Sequence, residues 1–399
     1  MTVEMKKYKL GDLIDVSRGK SLAGEFYATS GNLVRLTMGN FDYINNCFKQ
    51  NTSKDNLFFS GKVEEKFILN AGDIITPLTE QTPGLLGSTA RIPESGKYIQ
   101  SQDVALVKCK KDKLDDGFAY YLVSSESVKK QLGAAAQQTK IRHTSPDKIK
   151  DCTVYIPEIS IQKKIGNILS TLDKRIENLR AQNRVLEQTA KTIYNYTFLQ
   201  CAGHQTTYNK TLNRNIPVGW EVKKIGEFFK LYDSKRVPLS KQQREKMKGQ
   251  YPYYGATGVM DFVNDYLFDG DYILLAEDGS TSDGNGHPVV QLISGKNWVN
   301  NHAHIMLPND PTDIYFGYYT LKCIPVKKIE SGSIQKKISQ ENLLPFQIAV
   351  PDTTTMKSFN NQVTPLFKKQ LVNTKQIETL TTQRNTLLPL LMTGQVEVC

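Results

Sequence analysis

Gly19-Lys20-Ser21 ends like a phosphate-binding loop, in which backbone N–H groups cradle phosphate oxygens and a lysine meets their charge. The first glycine of such a loop would fall at Ile14, and no apolar strand leads in, so the three residues read as an ordinary loop. Gly279 to Gly286 is glycine-rich but is not followed by Lys-Ser or Lys-Thr, and reads as a connection between strands. Glu277-Asp278 follows the apolar run Tyr272-Ile273-Leu274-Leu275-Ala276, as acids do at the strand end of a metal-dependent nuclease. The lysine such a site requires two residues on is replaced by Ser280. His302 and His304 flank Ala303 and on a strand would share a face, but two ligands are too few for zinc, and they read as polar or core histidines. An adenine methylase needs an Asn-Pro-Pro-Tyr-like loop and a glycine fingerprint for S-adenosylmethionine; this sequence has no Pro-Pro pair and no such fingerprint. Cys47, Cys109, Cys152, Cys201, Cys323 and Cys399 are scattered, which suits a reducing cytoplasm better than a disulfide framework or a zinc ribbon. The expectation is therefore a chain with no catalytic residues and no metal of its own.

The elements around these residues form a repeating order. Asp73-Ile74-Ile75, Val104-Ala105-Leu106-Val107 and Phe67-Ile68-Leu69 are expected strands, punctuated by Gly31-Asn32, Gly39-Asn40 and Asn70-Ala71-Gly72-Asp73. Phe118 to Val123 and Ser127 to Leu132 read as helix, and Val154-Tyr155-Ile156 as strand. From 198 residues on the landmarks return: Gly270-Asp271-Tyr272-Ile273 for Gly72-Asp73-Ile74-Ile75, and Tyr315-Phe316-Gly317-Tyr318-Tyr319 for Gly117-Phe118-Ala119-Tyr120-Tyr121. Gly332 to Ile338 echoes Gly133 to Ile141.

Each globular segment then reaches a proline and a heptad helix. In the first, Ile165, Leu172, Leu179, Leu186 and Ile193 recur every seventh residue, interleaved by Leu169, Ile176, Asn183 and Ala190. In the second, Phe359, Leu366, Leu380 and Leu387 keep the spacing, with Val363, Ile377 and Leu391 between and Asn373 in the seam. A shift of 194 residues lays Pro351 on Pro157, Phe359 on Ile165 and Asn373 on Leu179. Such a helix is about 60 Å long. The two copies are expected to pair antiparallel, giving a pseudo-twofold, with Asn183 and Asn373 either facing water or pairing to set the register. Pro365 is expected to kink or start the second helix.

At 399 residues, 39% hydrophobic and 23% charged, the chain has room for two domains with proper cores. No apolar run approaches the roughly 20 residues of a bilayer span, and Met1 to Lys7 lacks the apolar core of a signal peptide, so a cytoplasmic protein is expected. The net charge of +11 leans toward a polyanionic partner.

Two domains, each followed by a helix, with Ile156-Pro157-Glu158 and Gln162-Lys163-Lys164-Ile165 opening the first, resemble the specificity subunit of type I restriction–modification enzymes. Tyr253-Tyr254-Gly255-Ala256-Thr257-Gly258, Asp278-Gly279, Trp298 to His304 and the closing Leu387 to Val396 carry the same resemblance, whereas the first domain shares only the frame. The resemblance implies an α+β fold: target-recognition domain 1 at 1–155, coiled-coil helix 1 at 156–199, a linker at 200–217, target-recognition domain 2 at 218–350, and coiled-coil helix 2 with its tail at 351–399. It implies that each domain reads one half of a split double-stranded DNA target while the helices act as spacer. At about 60 Å they allow at most roughly 18 base pairs between the domains. Two methylase subunits binding S-adenosylmethionine and restriction subunits using ATP and Mg would dock on this chain. A self-contained DNA methylase or nuclease, or a non-specific coiled-coil adaptor, is the alternative.

Base reading needs polar side chains on loops, with Lys or Arg on phosphates. The candidates in the first domain are Arg18, Lys20, Ser21, Arg35, Gln81, Thr82, Gln137, Gln138, Lys140 and Arg142. In the second they are Lys235, Arg236, Lys241, Arg244, Ser280, Gln335, Lys336 and Lys337.

Overall fold

The computed structural model describes residues 3–80, 84–135, 142–332 and 335–398. Its contacts divide the chain into two units, Met1–Leu179 with Lys375–Cys399, and Arg180–Thr374. Each unit thus holds part of helix Ile159–Tyr194 and part of helix Thr353–Met392.

In the first unit, strand Lys6–Lys9 pairs antiparallel with Thr153–Ile156, so the domain's first and last strands close on each other. The central sheet runs Ala90–Arg91, Ile74–Pro77, Val104–Cys109, Ile14–Arg18, antiparallel throughout. Successive side chains of a strand point to opposite faces, and here both faces are covered. Ile74, Ala105 and Val107 join Phe118, Leu122, Val128 and Leu132 of helices Asp116–Val123 and Glu126–Ala135. Ile75, Val104 and Leu106 join Leu36, Phe41 and Tyr98 on the other side. That second layer is a sheet in the order Tyr98–Ile99, Val34–Arg35, Phe58–Phe59, Tyr27–Ala28, with the first two strands parallel. Burial on both faces is why these strands read as unbroken apolar runs.

The second unit repeats the plan. Glu221–Lys224 pairs with Gln347–Val350. Its central sheet runs Phe229–Leu231, Ala303–Pro308, Tyr272–Ala276, Val290–Ile293. Its second sheet runs Val259–Val263, Lys248–Tyr254, Lys296–Val299, Phe268–Asp269, again with one parallel pair, Lys248–Tyr254 beside Lys296–Val299. Ile273 and Leu275 face helix Ile314–Lys322, and Leu274 and Ile305 face the second sheet.

Within each unit the two long helices run antiparallel. In the second, Asn373 bonds Asn183 while the rings of Tyr194 and Phe198 meet Phe359. In the first, Asp173 meets Arg384, and Ile165 and Leu169 share a core with Leu387, Leu391 and Met392. The seam is graded. Ile165, Leu169, Ile176, Leu179, Phe359 and Asn373 are buried, whereas Leu172, Asn183, Leu186, Ile193, Leu366, Ile377, Leu380 and Leu387 are half-buried. The helices do more than pair: their ends complete the domain cores. A Cβ added at Gly166 would lie 2.8 Å from the Phe118 nitrogen and 2.9 Å from the Gly117 carbonyl carbon, so only glycine lets the first long helix rest on the backbone there.

Three expectations are corrected. Phe67-Ile68-Leu69 is not a strand: Glu65–Phe67 is a 3₁₀ turn, and Ile68 makes a single bridge to Ile99 before the Asn70–Asp73 turn takes the backbone away. The 200–217 span is not an open linker but contains a hairpin, Thr206–Asn209 with Arg214–Pro217. The Asn209 carboxamide accepts from Thr211 and Leu212, and Asn213 takes the left-handed conformation that such a tight turn needs. Pro365 does not start the second helix, which begins at Thr353, where the Asp352 carboxylate accepts from Thr354 and Thr355.

Candidate nucleic-acid interface

The first domain carries a cleft of about 600 Å³ where the second sheet meets the turn leading into Val104–Cys109. Lys20, Arg35, Lys49, Lys54 and His143 line it, together with Asn51, Thr79, Gln102 and Asp103. Lys49, Lys54, Gln102 and His143 are exposed. A concave wall of cations and amides can neutralise phosphates and hydrogen-bond to base edges.

The wall is rigid where it matters. Gln100 is buried, and its amide nitrogen donates to the carbonyls of Ser17 and Val104. A Cβ at Gly19 would lie 2.3 Å from the carbonyl oxygens of Gln100 and Ser101, so glycine there lets two backbones press together. Arg35 lines the cleft but is committed: Nε and Nη2 donate to the Asn56 carbonyl and side chain at 3.2 Å, and the guanidinium lies 3.8 Å from the Tyr27 ring centre. It builds the floor and is not free to read a base. Lys20 is exposed and paired with Glu64 at 3.3 Å, a weak surface contact that DNA phosphate can replace. Arg18 and Ser21 are exposed beside it. Arg142 donates to buried Glu80, which also accepts from Leu85 and Leu86. Gln81, Thr82, Gln137, Gln138 and Lys140 lie outside the described residues.

The second domain concentrates charge differently. His304 is buried; Nε2 donates to the Ile338 carbonyl at 2.7 Å and Nδ1 to Asp233 at 2.6 Å. A ring donating from both nitrogens is an imidazolium. Burial opposes its charge, but the hydrogen bond and charge of Asp233, with Ile338 and Glu277 beside it, hold its pKa above the usual histidine value. Burial likewise pushes Asp233 up, yet the hydrogen bond and charge of His304, the Ile305 N–H and Gln340 leave its carboxyl below the ordinary range. Glu277 takes Arg236 at 2.7 Å and Lys337 at 3.1 Å. Asp233, Glu277 and His304 are close enough to suggest a metal triad. Their ligand atoms, however, already meet one another, Arg236 and Lys337, so the group is an ion network of two carboxylates and three cations.

This network relocates several candidates. Arg236 also bonds the carbonyls of Asp233 and Ala303, which makes it a strut. Arg244 is a strut too, held by Asp261 at 3.2 Å and the Leu239 carbonyl at 2.7 Å. Lys235, Lys241, Ser280, Gln335, Lys336 and Lys337 remain exposed and able to meet DNA; Lys336 pairs with Glu330 and Lys337 with Glu277. The sequence reading missed Lys49, Asn51, Lys54, Gln102 and His143. Two lysines in an Asn- and Ser-rich segment were the available signal, but only the fold brings Lys49 and Lys54 to the turn at Gln102.

A family model described as type I restriction modification DNA specificity domain matches residues 2–188 and 217–382. The type I restriction enzyme MjaIX specificity subunit of Methanocaldococcus jannaschii is 25% identical over 310 residues, 72% of this chain and 71% of that one. The putative type I specificity subunit S.MpnORF638P of Mycoplasma pneumoniae is 24% identical over 358 residues, 85% and 84% of the two chains. The crystal structure of a type I restriction–modification S subunit from M. genitalium superposes with a TM-score of 0.62 at 18% identity, covering 100% of this chain and 97% of the other, a likeness of fold.

Proposed function

The chain belongs to the type I restriction modification DNA specificity family, and from that premise we propose that it selects a two-part DNA sequence, one half-site per domain, for partner enzymes to modify or cut. The observation that carries this is the duplication: one topology occurs twice, with different side chains on the two surfaces. In the first domain the cleft with Lys20, Lys49, Lys54, Gln102 and His143 faces DNA; in the second, the exposed residues Lys235, Lys241, Gln335, Lys336 and Lys337 do so. The antiparallel helices set the distance between half-sites. Methylase subunits, two per chain, supply the S-adenosylmethionine chemistry, and restriction subunits supply ATP- and Mg-dependent cleavage; this chain contributes recognition without catalysis, in the cytoplasm where its DNA lies. No helix among the described residues is long and apolar enough to cross a membrane.

Selection of fragments from a randomised pool by the full chain with a methylase partner tests the reading. Two short consensus blocks at a fixed spacing are expected. A pool without consensus would favour a non-specific adaptor, and turnover of DNA by the purified chain alone would favour a self-contained enzyme.

A further inference from the structure

The cleft of the first domain contains one carboxylate among its cations. Asp103 lines it with Lys20, Lys49, Lys54 and His143, and is half-buried. Among the described residues, no hydrogen bond or ion pair engages this carboxylate. A negative charge on a DNA-facing wall repels phosphate and lowers affinity for any sequence. In the major groove it gains a favourable contact only where a base presents an amino group, cytosine N4 or adenine N6.

The backbone holds Asp103 in place for such a contact. Asp103 is the third residue of the turn Ser101–Val104, closed by the Val104 N–H on the Ser101 carbonyl at 3.1 Å. On one side Lys20 N donates to the Gln100 carbonyl at 3.1 Å; on the other Leu78 N donates to the Asp103 carbonyl at 2.8 Å. A reading group needs this kind of fixed support.

The repeat supplies an internal control. The matching residue in the turn of the second domain is His302, whose carbonyl accepts from Glu277 N at 2.8 Å, as that of Asp103 does from Leu78 N. There the side chain is matched: His302 Nδ1 lies 2.6 Å from Asp278. The residue in register with Asp278 is Thr79, which carries no charge. The same turn therefore presents a paired histidine in one domain and an unmatched carboxylate in the other.

We propose that Asp103 is a specificity-determining residue of the first half-site, accepting a hydrogen bond from the exocyclic amino group of a cytosine or adenine and excluding the carbonyl edge of guanine or thymine at that position. This rests on the DNA-specificity reading above.

The test repeats the fragment selection with the full chain and methylase partner for wild type, Asp103→Asn and Asp103→Ala. Wild type is expected to show cytosine or adenine at one first-half-site position. Asp103→Asn, which can turn its amide to donate as well as accept, should lower that preference roughly tenfold. Asp103→Ala should abolish it while binding to non-cognate DNA rises. The second half-site serves as the folding control and should keep its consensus in both variants. An unchanged first half-site in both variants, or loss of both half-sites in both, would overturn the assignment. A wild-type pool without two blocks would instead overturn the parent reading, and this assignment with it.

Discussion

Asn373 is fully buried in the helix seam. Its Nδ2 donates to Asn183 Oδ1 at 2.9 Å and to Gln182 Oε1 at 3.4 Å, while its own Oδ1 has no partner among the described residues. Leucine at both Asn183 and Asn373 removes a net hydrogen-bond contribution of about 0.5–1.5 kcal/mol and relieves a desolvated acceptor costing about 1–3 kcal/mol. It also buries a leucine at 373, which contributes about 1.5–3 kcal/mol, and a smaller amount at half-buried 183. Some of that is lost to crowding among Gln182, Gln370 and Thr374. The net expectation is a gain of about 2–4 kcal/mol, or roughly 5–10 °C in the transition of the unit Arg180–Thr374, measured by calorimetry. An apolar seam no longer penalises a slipped register, so fragment selection should yield a spread of half-site spacings where wild type yields one. A double variant with no added stability and the wild-type spacing would refute the idea that this pair exchanges stability for register.

Three further outcomes follow from the geometry. Gly166→Ala gains about 1 kcal/mol in helix propensity but forces the helix off the Phe118 backbone, a loss of about 1–3 kcal/mol, so urea midpoints should fall; a rise would show that the close approach is not required. Because His304 has a raised folded-state pKa, its contribution to stability is full below about pH 6.5 and is lost as pH rises through the folded value. Asp233 and Glu277, both lowered, contribute above the ordinary carboxylate range and lose that contribution as pH falls through their folded values. Melting temperature against pH should therefore decline on both sides; His304→Asn should flatten the alkaline side and, by removing a charge that lowers Asp233 and Glu277, soften the acid side as well. Lys49→Ala with Lys54→Ala should weaken DNA binding about equally for all sequences and reduce the slope of log affinity against log salt by nearly 2; an unchanged slope would place the cleft away from phosphate.

Chain-local patterns were legible because they depend on periods. A seven-residue spacing and strands buried on both faces leave their mark whatever they pack against, and a duplicated order of landmarks shows as a constant offset. These features carried the two-domain plan, the long helices and the family resemblance. Local pattern also misled: Phe67-Ile68-Leu69 looks like a strand by composition, but a strand exists only where a neighbour completes its ladder, and Ile68 has a single bridge.

What a polar residue does was decided by the fold. Arg35, Arg236 and Arg244 are as basic in sequence as Lys49 and Lys54, yet carbonyls and acids from distant segments spend their donors inside the domains. His304 and Glu277, 27 positions apart, became an ion network because adjacent strands set them beside Asp233. Asp103 became a candidate reader for the opposite reason: its turn leads into a cleft where no described residue bonds its carboxylate. Sequence alone determined that there are two recognition frames and a paired helix, since periodicity is a property of the chain. Which side chains remain free to meet DNA depends on partners brought from tens or hundreds of residues away, and only tertiary structure settles that.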